Sequence, residues 1–483
     1  MLFKHPSSVR NNAKAILAQA ILAVSDLLAF NLGLVIAILL VMAFWGDLER
    51  FLPYQEMAPR FAAHGLLSLA CMGWFWLRLR HYSYRKPFWF ELKEVLSTVV
   101  IFAVIDLAII GFSKWQLSRY VWVFTWCGIL VLLSVGRALT KKLLRRLKLW
   151  QKQCVIIGTG SNAVDVFVAL QSEAYLGFDI QYFVGCADQE EPAELLGLPV
   201  ICDEQLLWHA TDASNTQYVI ALEYSQEKVR ENWLKQLAVH KCQSVSVVPS
   251  TRGLPLDSTD MMFIFRREVL ILGINNKLTK LSARTLKRGF DLISSFVLLL
   301  LCSPLLIGLA YLVMREGGRP IYGHLRVGQN GKLFKCYKFR SMAVNADEIL
   351  DRLLAADPAA RAEWEQDFKL KDDPRITRIG RFLRRSSLDE LPQLFNVLKG
   401  EMSLIGPRPV VPEELERYGD NAEYYLMVKP GMTGLWQVSG RNDVSYETRV
   451  YFDAWYVKNW SLWNDITILF KTIEIVFKRD GAY

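Results

Sequence analysis

The residues whose types and spacing suit chemistry are concentrated near the C-terminus of this 483-residue chain. One short stretch, Arg384-Arg385-Ser386-Ser387-Leu388-Asp389-Glu390-Leu391-Pro392-Gln393, combines two arginines with two adjacent carboxylates. It follows Lys338-Phe339-Arg340-Ser341-Met342 and precedes Gly406-Pro407-Arg408-Pro409 and Lys429-Pro430-Gly431-Met432-Thr433-Gly434-Leu435-Trp436-Gln437. Arginine binds phosphate oxygens bidentately. Magnesium takes one or two carboxylates plus substrate phosphates. The pattern therefore points to a phosphorylated substrate and a divalent cation. A plainer reading stands beside it. Leu391, Leu394, Phe395 and Leu398 share one face of a helix-like stretch, and acids at a helix N-terminus are favourable without any ligand. A solvated charge run, however, would not be punctuated by Gly-Pro turns and aromatic anchors.

The elements that must carry these residues begin with Leu292–Met314, 23 residues without a charge. Lys287, Arg288 and Arg315 put basic residues at both ends, so both ends favour the cytoplasmic side. Proline in a helix removes a backbone donor and clashes with the carbonyl four residues back. The expectation is a segment that enters the membrane, breaks at Ser303-Pro304 and returns, with a kinked spanning helix as its rival.

Four further apolar runs precede residue 140: Leu27–Trp45, Phe61–Leu77, Val95–Phe112 and Tyr120–Gly136. Each approaches the length that crosses a hydrocarbon core as a helix. Basic clusters occur before the first run (Lys4, Arg10, Lys14), between the second and third (Arg78, Arg80, Arg85, Lys86, Lys93) and after the fourth (from Arg137 to Lys148). Both ends of this unit should face the cytoplasm. Asp26 and Asp106, within or beside these runs, read as helix-pairing acids.

Residues 151–275 change character. Apolar strand-like runs at Cys154–Gly158, Ile180–Cys186, Tyr218–Leu222 and Val245–Val248, with helical stretches between them, imply a parallel sheet in a Rossmann-like α/β domain. Gly158-Thr159-Gly160-Ser161-Asn162-Ala163 matches G-x-G-x-x-A, with Asp188 further on. That pattern alone is weak evidence for a dinucleotide site. A tight strand-to-helix turn in a scaffolding or dimerising domain explains it as well.

The net charge of +9 conceals this division. It is +11 over residues 1–150, −8 over 151–275 and +6 over 276–483. The basic residues flank membrane segments or accompany the carboxylate pair, which disfavours a nucleic-acid partner. The eight cysteines show no metal-ligand spacing and suit a reducing compartment. The expected architecture is a membrane protein, α plus α/β, in three parts. These are a four-helix transmembrane domain (1–150), a cytoplasmic Rossmann-like domain (151–275), and a mainly helical catalytic domain on a re-entrant membrane helix (276–483).

On the motifs quoted above, the chain resembles the large form of the bacterial polyprenyl-phosphate hexose-1-phosphate transferases over essentially its whole length. The resemblance implies transfer of hexose 1-phosphate from a UDP-sugar to undecaprenyl phosphate, with release of UMP. This is the first membrane step of O-antigen, capsule or exopolysaccharide synthesis. By resemblance, Asp389 is the nucleophile that forms an aspartyl-phosphosugar intermediate. Glu390 is a Mg²⁺ ligand beside it, so the metal falls to this carboxylate pair. Arg384 and Arg408 match phosphate-contacting arginines, with Lys338 and Arg340 as weaker candidates. The family's re-entrant helix is broken at a Ser-Pro pair, here Ser303 and Pro304. UDP-galactose is the expected donor and glucose the main rival sugar. The expected setting is the bacterial inner membrane, in contact with lipid, as a homodimer with cytoplasmic soluble domains.

Two other functions compete. A membrane-bound, NAD-using UDP-sugar dehydratase or epimerase would need a working dinucleotide turn and a Tyr-x-x-x-Lys pair. Tyr425 and Lys429 have that spacing, although Pro430-Gly431 follows at once. A non-catalytic polysaccharide-assembly scaffold would not need Asp389, Glu390, Arg384 and Arg408 together.

Overall fold

The computed structural model describes residues 8–185, 192–213, 215–249, 259–264, 269–274, 278, 280–357, 361, 373–440 and 444–478. Lys4, Cys186 and Asp188 lie outside these described residues. The chain forms two compact units, Met1–Thr251 and Arg252–Tyr483.

The first unit opens with helices α1 (Ser8–Trp45), α2 (Tyr54–Gly73), α3 (Phe88–Phe112) and α4 (Arg119–Arg146). α1 and α4 cross closely because both contribute glycine at the contact. A Cβ on Gly33 would stand 2.5 Å from Ile129 Cγ1, and one on Gly128 would meet the Gly33 backbone at 3.5 Å. Small residues at such crossings let helix backbones approach where no water drives association. One face of the bundle is tied by ions. The Arg137 guanidinium donates to both Asp26 oxygens (2.6 Å at the shortest) and to Glu91 (3.1 Å), and Lys141 pairs with Glu91. Tyr82 donates to Asp26 at 2.7 Å. Asp106 accepts from the Trp126 indole at 2.9 Å. Both acids thus join helices, as their pairing role required.

Among the described residues, four helices are long and apolar enough to cross a membrane: Ala13–Trp45, Phe88–Phe112, Arg119–Arg146 and, in the second unit, Leu281–Arg315. The expected span Phe61–Leu77 is not among them. Its residues are divided between α2, which carries Glu56, Arg60 and His64, and a π-helical turn at Trp74–Arg78.

The rest of this unit is a six-stranded sheet of β1 (Lys152–Ile157), β2 (Phe178–Val184), β3 (Glu194–Leu195), β4 (Leu198–Ile201), β5 (Gln217–Ile220) and β6 (Ser244–Val247). Its spatial order is β3-β4-β2-β1-β5-β6, parallel except for β3 against β4. Cys154, Val155, Ile156 and Ile157 are fully buried on both faces of β1. A continuous apolar run reads this way when helices cover both sides of a parallel sheet. Helices α5 (Ser161–Ser172), α6 (Glu204–Ala210) and α7 (Glu227–Val239) connect the strands.

Among the described residues of the second unit, β7 (Thr259–Ile264) pairs antiparallel with β8 (Val269–Ile274), and β9 (Ile321–Val327) with β10 (Leu333–Phe339). Between them runs α8 (Leu281–Arg315), a continuous helix that includes Pro304. The expected break at Ser303-Pro304 does not end the helix. The Ser303 hydroxyl donates to the Leu300 carbonyl at 2.8 Å, replacing the donor that Pro304 lacks. Ile293, Phe296, Leu300, Leu301 and Ile307 are exposed along it, a face suited to lipid.

Short helices and a parallel strand pair, β11 (Ser403–Ile405) with β12 (Gly431–Thr433), complete the unit. Its core gathers Phe334, Cys336, Leu394, Val397, Met402, Leu404, Tyr456 and Trp460. Tyr456 and Trp460 are therefore interior residues. Both donate to the fully buried Asp465, at 2.7 and 3.0 Å, and Lys287 completes its shell at 2.8 Å.

Candidate active site

Strand β10 positions the first functional side chain. Phe334, Cys336 and Lys338 alternate onto one face. Phe334 and Cys336 are buried in the core, whereas Lys338 stands where that core ends and is 32% exposed. The buried Asn396 joins the strand to the helix Gln393–Lys399. Its amide donates to the Lys335 carbonyl at 2.8 Å and accepts from the Tyr337 amide at 3.0 Å.

The carboxylate pair sits in the turn before that helix. The helix Arg378–Ser386 begins at Thr377, whose hydroxyl caps the Gly380 amide at 2.9 Å. A Cβ on Gly380 would lie 1.9 Å from the Ser341 carbonyl oxygen, so only glycine lets the helix dock there. It ends at Ser387 in the left-handed conformation (φ 56°), which redirects the chain into the 3₁₀ turn Leu388–Glu390. Asp389 and Glu390 thus emerge beside Lys338.

The Lys338 ammonium donates to Glu390 Oε1 at 2.7 Å and lies 3.9 Å from Asp389 Oδ2. Burial, and then the neighbouring Glu390 charge, push the Asp389 carboxyl up to about 6, against the opposing pull of Lys338 and Arg384. It is largely anionic at neutral pH and poorly solvated, a combination that suits a nucleophile. Arg384 is held by its Nε–H to the Ser341 hydroxyl at 2.9 Å.

Two other expected residues lie elsewhere. Arg340 donates to the Val313 and Gly317 carbonyls at the C-terminal end of α8, so the fold does not bring it to the carboxylates. The exposed Arg408 has its Cζ 5.7 Å from the Trp436 ring centroid. Its charge reaches the buried Cys336 thiol, as do those of Lys338, Glu390 and Arg326. Asn396 and Ser341 orient the site, yet neither stood out by residue type.

Among the described residues no group of three or more His, Cys, Asp or Glu side chains is placed to hold a metal ion. Asp389 and Glu390 supply two hard oxygen donors, which fits Mg²⁺ completed by substrate phosphates and water. Lys338 now occupies Glu390 Oε1, so a bound cation would share or displace that contact.

The Gly-rich turn after β1 is already filled. Glu223 Oε1 accepts from the Asn162 amide at 2.8 Å and from the Ser161 hydroxyl at 3.1 Å, at the N-terminus of α5. A Cβ on Gly160 would be 2.6 Å from the same oxygen. A carboxylate therefore takes the position that a pyrophosphate would need. Tyr425 and Lys429 are not one helical pair either. Their helix ends at Met427, and the Tyr425 hydroxyl donates to the Val327 carbonyl at 2.7 Å.

Residues 282–479 match the family described as bacterial sugar transferase. The chain is 57% identical over 470 residues to the UDP-galactose-lipid carrier transferase of Erwinia amylovora, covering 97% of this chain and 98% of that protein. It is 56% identical to the undecaprenyl-phosphate galactose phosphotransferase of Salmonella typhimurium, covering 99% of this chain and 100% of that protein. To the UDP-glucose:undecaprenyl-phosphate glucose-1-phosphate transferase of Klebsiella pneumoniae it is 30% identical, over 80% of each chain.

Proposed function

The chain belongs to the bacterial sugar transferase family and is a transferase; we propose that it moves galactose 1-phosphate from UDP-galactose to undecaprenyl phosphate, through a phosphosugar carried on Asp389. The observation that carries this reading is the Asp389–Glu390–Lys338 cluster, with its partly desolvated carboxylate. Galactose is favoured over glucose by the wide margin in identity between the galactose-named and glucose-named relatives.

The reaction divides into two displacements at one phosphorus. An Asp389 oxygen attacks the β-phosphorus of the donor, an acyl phosphate bond forms, and the bond to the UMP oxygen breaks. A phosphate oxygen of the lipid carrier then attacks the same phosphorus, and Asp389 leaves as carboxylate. Lys338 holds Glu390 beside the nucleophile and moderates the repulsion between the two acids. Arg384 and Arg408 offset phosphate charge. Magnesium, held by Glu390 and Asp389 together with the substrate phosphates, supplies further charge neutralisation when bound.

The setting we propose is the bacterial cytoplasmic membrane, with both soluble parts in the cytoplasm and the chain acting as a homodimer. Basic residues at both ends of α8 support a re-entrant course with a bend near Ser303-Pro304. The strand order of the sheet supports a Rossmann-like unit, in which Glu223 favours a scaffolding role over cofactor binding. The test is product analysis of the purified chain with UDP-galactose, UDP-glucose and UDP-N-acetylhexosamines, with undecaprenyl phosphate as acceptor. Stoichiometric UMP and lipid-linked galactose are expected. In the absence of acceptor, Asp389 should gain the mass of a hexose phosphate. A keto-sugar product without UMP would overturn the reading.

A further inference from the structure

We propose that Arg449 is a second donor-binding arginine, which with Arg408 forms a two-guanidinium clamp against Trp436 for the diphosphate of the nucleotide sugar. The proposal rests on the donor reading above and names groups that it left unassigned. The Trp436 ring centroid lies 4.9 Å from Arg449 Cζ and 5.7 Å from Arg408 Cζ. By those distances the two guanidinium carbons are at most about 11 Å apart, a span that one diphosphate bridges with a contact of about 2.8 Å at each end.

Both cations are available. Among the described residues, neither arginine forms an ion pair with a carboxylate. Among the described residues the buried Arg449 Nε–H has no acceptor, and the indole N–H of Trp436, a residue only 4% exposed, has none either. Orphaned buried donors cost free energy and mark a site where a partner is missing. The nearest acid along the helix forms no ion pair with Arg449 among the described residues. Asp453, one turn beyond Arg449, is buried and accepts from the Tyr418 hydroxyl at 2.9 Å and from the Arg408 backbone amide. Burial pushes its carboxyl up to about 7, against the opposing pull of those two contacts and of the Arg408 charge.

The scaffold suits an anion. Arg449 stands in the first turn of Tyr446–Lys458, a helix capped by the Ser445 hydroxyl, and the helix N-terminus adds positive potential. Stacking on an indole restrains guanidinium planes that would otherwise lose rotamer freedom on binding. The loop carrying Arg408 is fixed to the Trp436 segment through paired strands β11 and β12, and a Cβ on Gly434 would meet the Gly406 carbonyl at 2.5 Å. The clamp therefore uses the Gly431–Gln437 motif, for which catalysis at Asp389 gave no role.

The test uses the full chain in native lipid particles, comparing wild type with Arg449→Met, which keeps the packing on Trp436, and with Arg449→Lys. The expected result for Arg449→Met is a rise of about tenfold or more in the donor KM and in the UDP inhibition constant. The acceptor KM and the melting temperature should stay unchanged, and Arg449→Lys should recover part of the loss. An unchanged donor KM would show that Arg449 only packs against Trp436. A rise confined to the acceptor KM would place it at the lipid phosphate. Either outcome overturns the clamp. Calorimetric UDP binding decides the same point without turnover: equal affinity in wild type and Arg449→Met refutes it. A wild type that binds UDP but makes no lipid product refutes the donor reading and leaves the clamp standing.

Discussion

Replacing Asp389 with Asn separates catalytic demand from folding demand at one side chain. Burial and the adjacent Glu390 lift this carboxyl from 3.8 to about 6. A carboxyl with a raised folded value favours the fold while protonated, and that contribution is lost as pH rises through about 6. At roughly 1.4 kcal/mol per pH unit, the displacement amounts to about 3 kcal/mol at pH 8. Little of it is screened away, because the side chain is only 15% exposed. Asn is nearly isosteric and never ionises. Asp389→Asn should therefore lose lipid-product formation and at the same time become more stable than wild type at pH 8. For a unit of this size the gain is about 5 °C or more in melting temperature. The difference should halve by about pH 5 and vanish below about pH 3, where the carboxyl is protonated in both folded and unfolded chains. The measurement is thermal unfolding of the purified full chain in a metal chelator, with turnover assayed in parallel with Mg²⁺ present. An Asn variant no more stable than wild type at pH 8, or a difference that grows towards acid, would refute the claim that burial strains this carboxylate. Full product formation by the variant would refute its role as nucleophile.

Three further outcomes follow from other parts of the molecule. Lys338→Met removes the cation 3.9 Å from Asp389, so the acidic limb of the pH–rate profile should move upward by roughly one pH unit; an unmoved limb would show that Lys338 does not act on the nucleophile. Arg137→Met leaves Asp26 and Glu91 buried without their shared cation and should cost about 3–5 kcal/mol, with Asp26→Asn added to Arg137→Met recovering part of it in thermal unfolding. A single cysteine placed at Gly317, just beyond α8, in a chain otherwise free of cysteine should react with an impermeant maleimide in inverted vesicles and not in intact spheroplasts; the reverse would make α8 a spanning helix.

The parts legible in the sequence are those where one local pattern decides the outcome. Cys154–Ile157 and Tyr218–Leu222 are short apolar runs bounded by glycine or polar residues, and burial on both faces of a parallel strand requires that pattern. Asp389-Glu390 stood out because adjacent carboxylates among arginines carry a chemical demand wherever the chain places them. Phe61–Leu77 is divided between α2 and the π-helical turn that begins at Trp74, a division that hydropathy does not register. At Ser303-Pro304 the helix continues through the proline. The penalty of proline is real, but the neighbouring hydroxyl meets the orphaned carbonyl within the same turn.

Arg340 shows most directly why spacing alone cannot assign a site. Lys338 and Arg340 are two residues apart, and strand alternation would point both at the carboxylates. The strand ends at Phe339, so the alternation stops one residue short and Arg340 turns to the end of α8. Arg449 is the converse case. It lies 60 positions beyond Asp389 in a segment with no phosphate signature, and only the fold of the Trp436 segment against the helix Tyr446–Lys458 brings its guanidinium to the indole that Arg408 also approaches. Charge that is local in sequence can be taken up by structure, as at Arg340, while the fold can bring in a guanidinium that is distant along the chain. The arginines to test at this site are therefore those left without a carboxylate or carbonyl partner by the fold, whatever their distance from Asp389 along the chain.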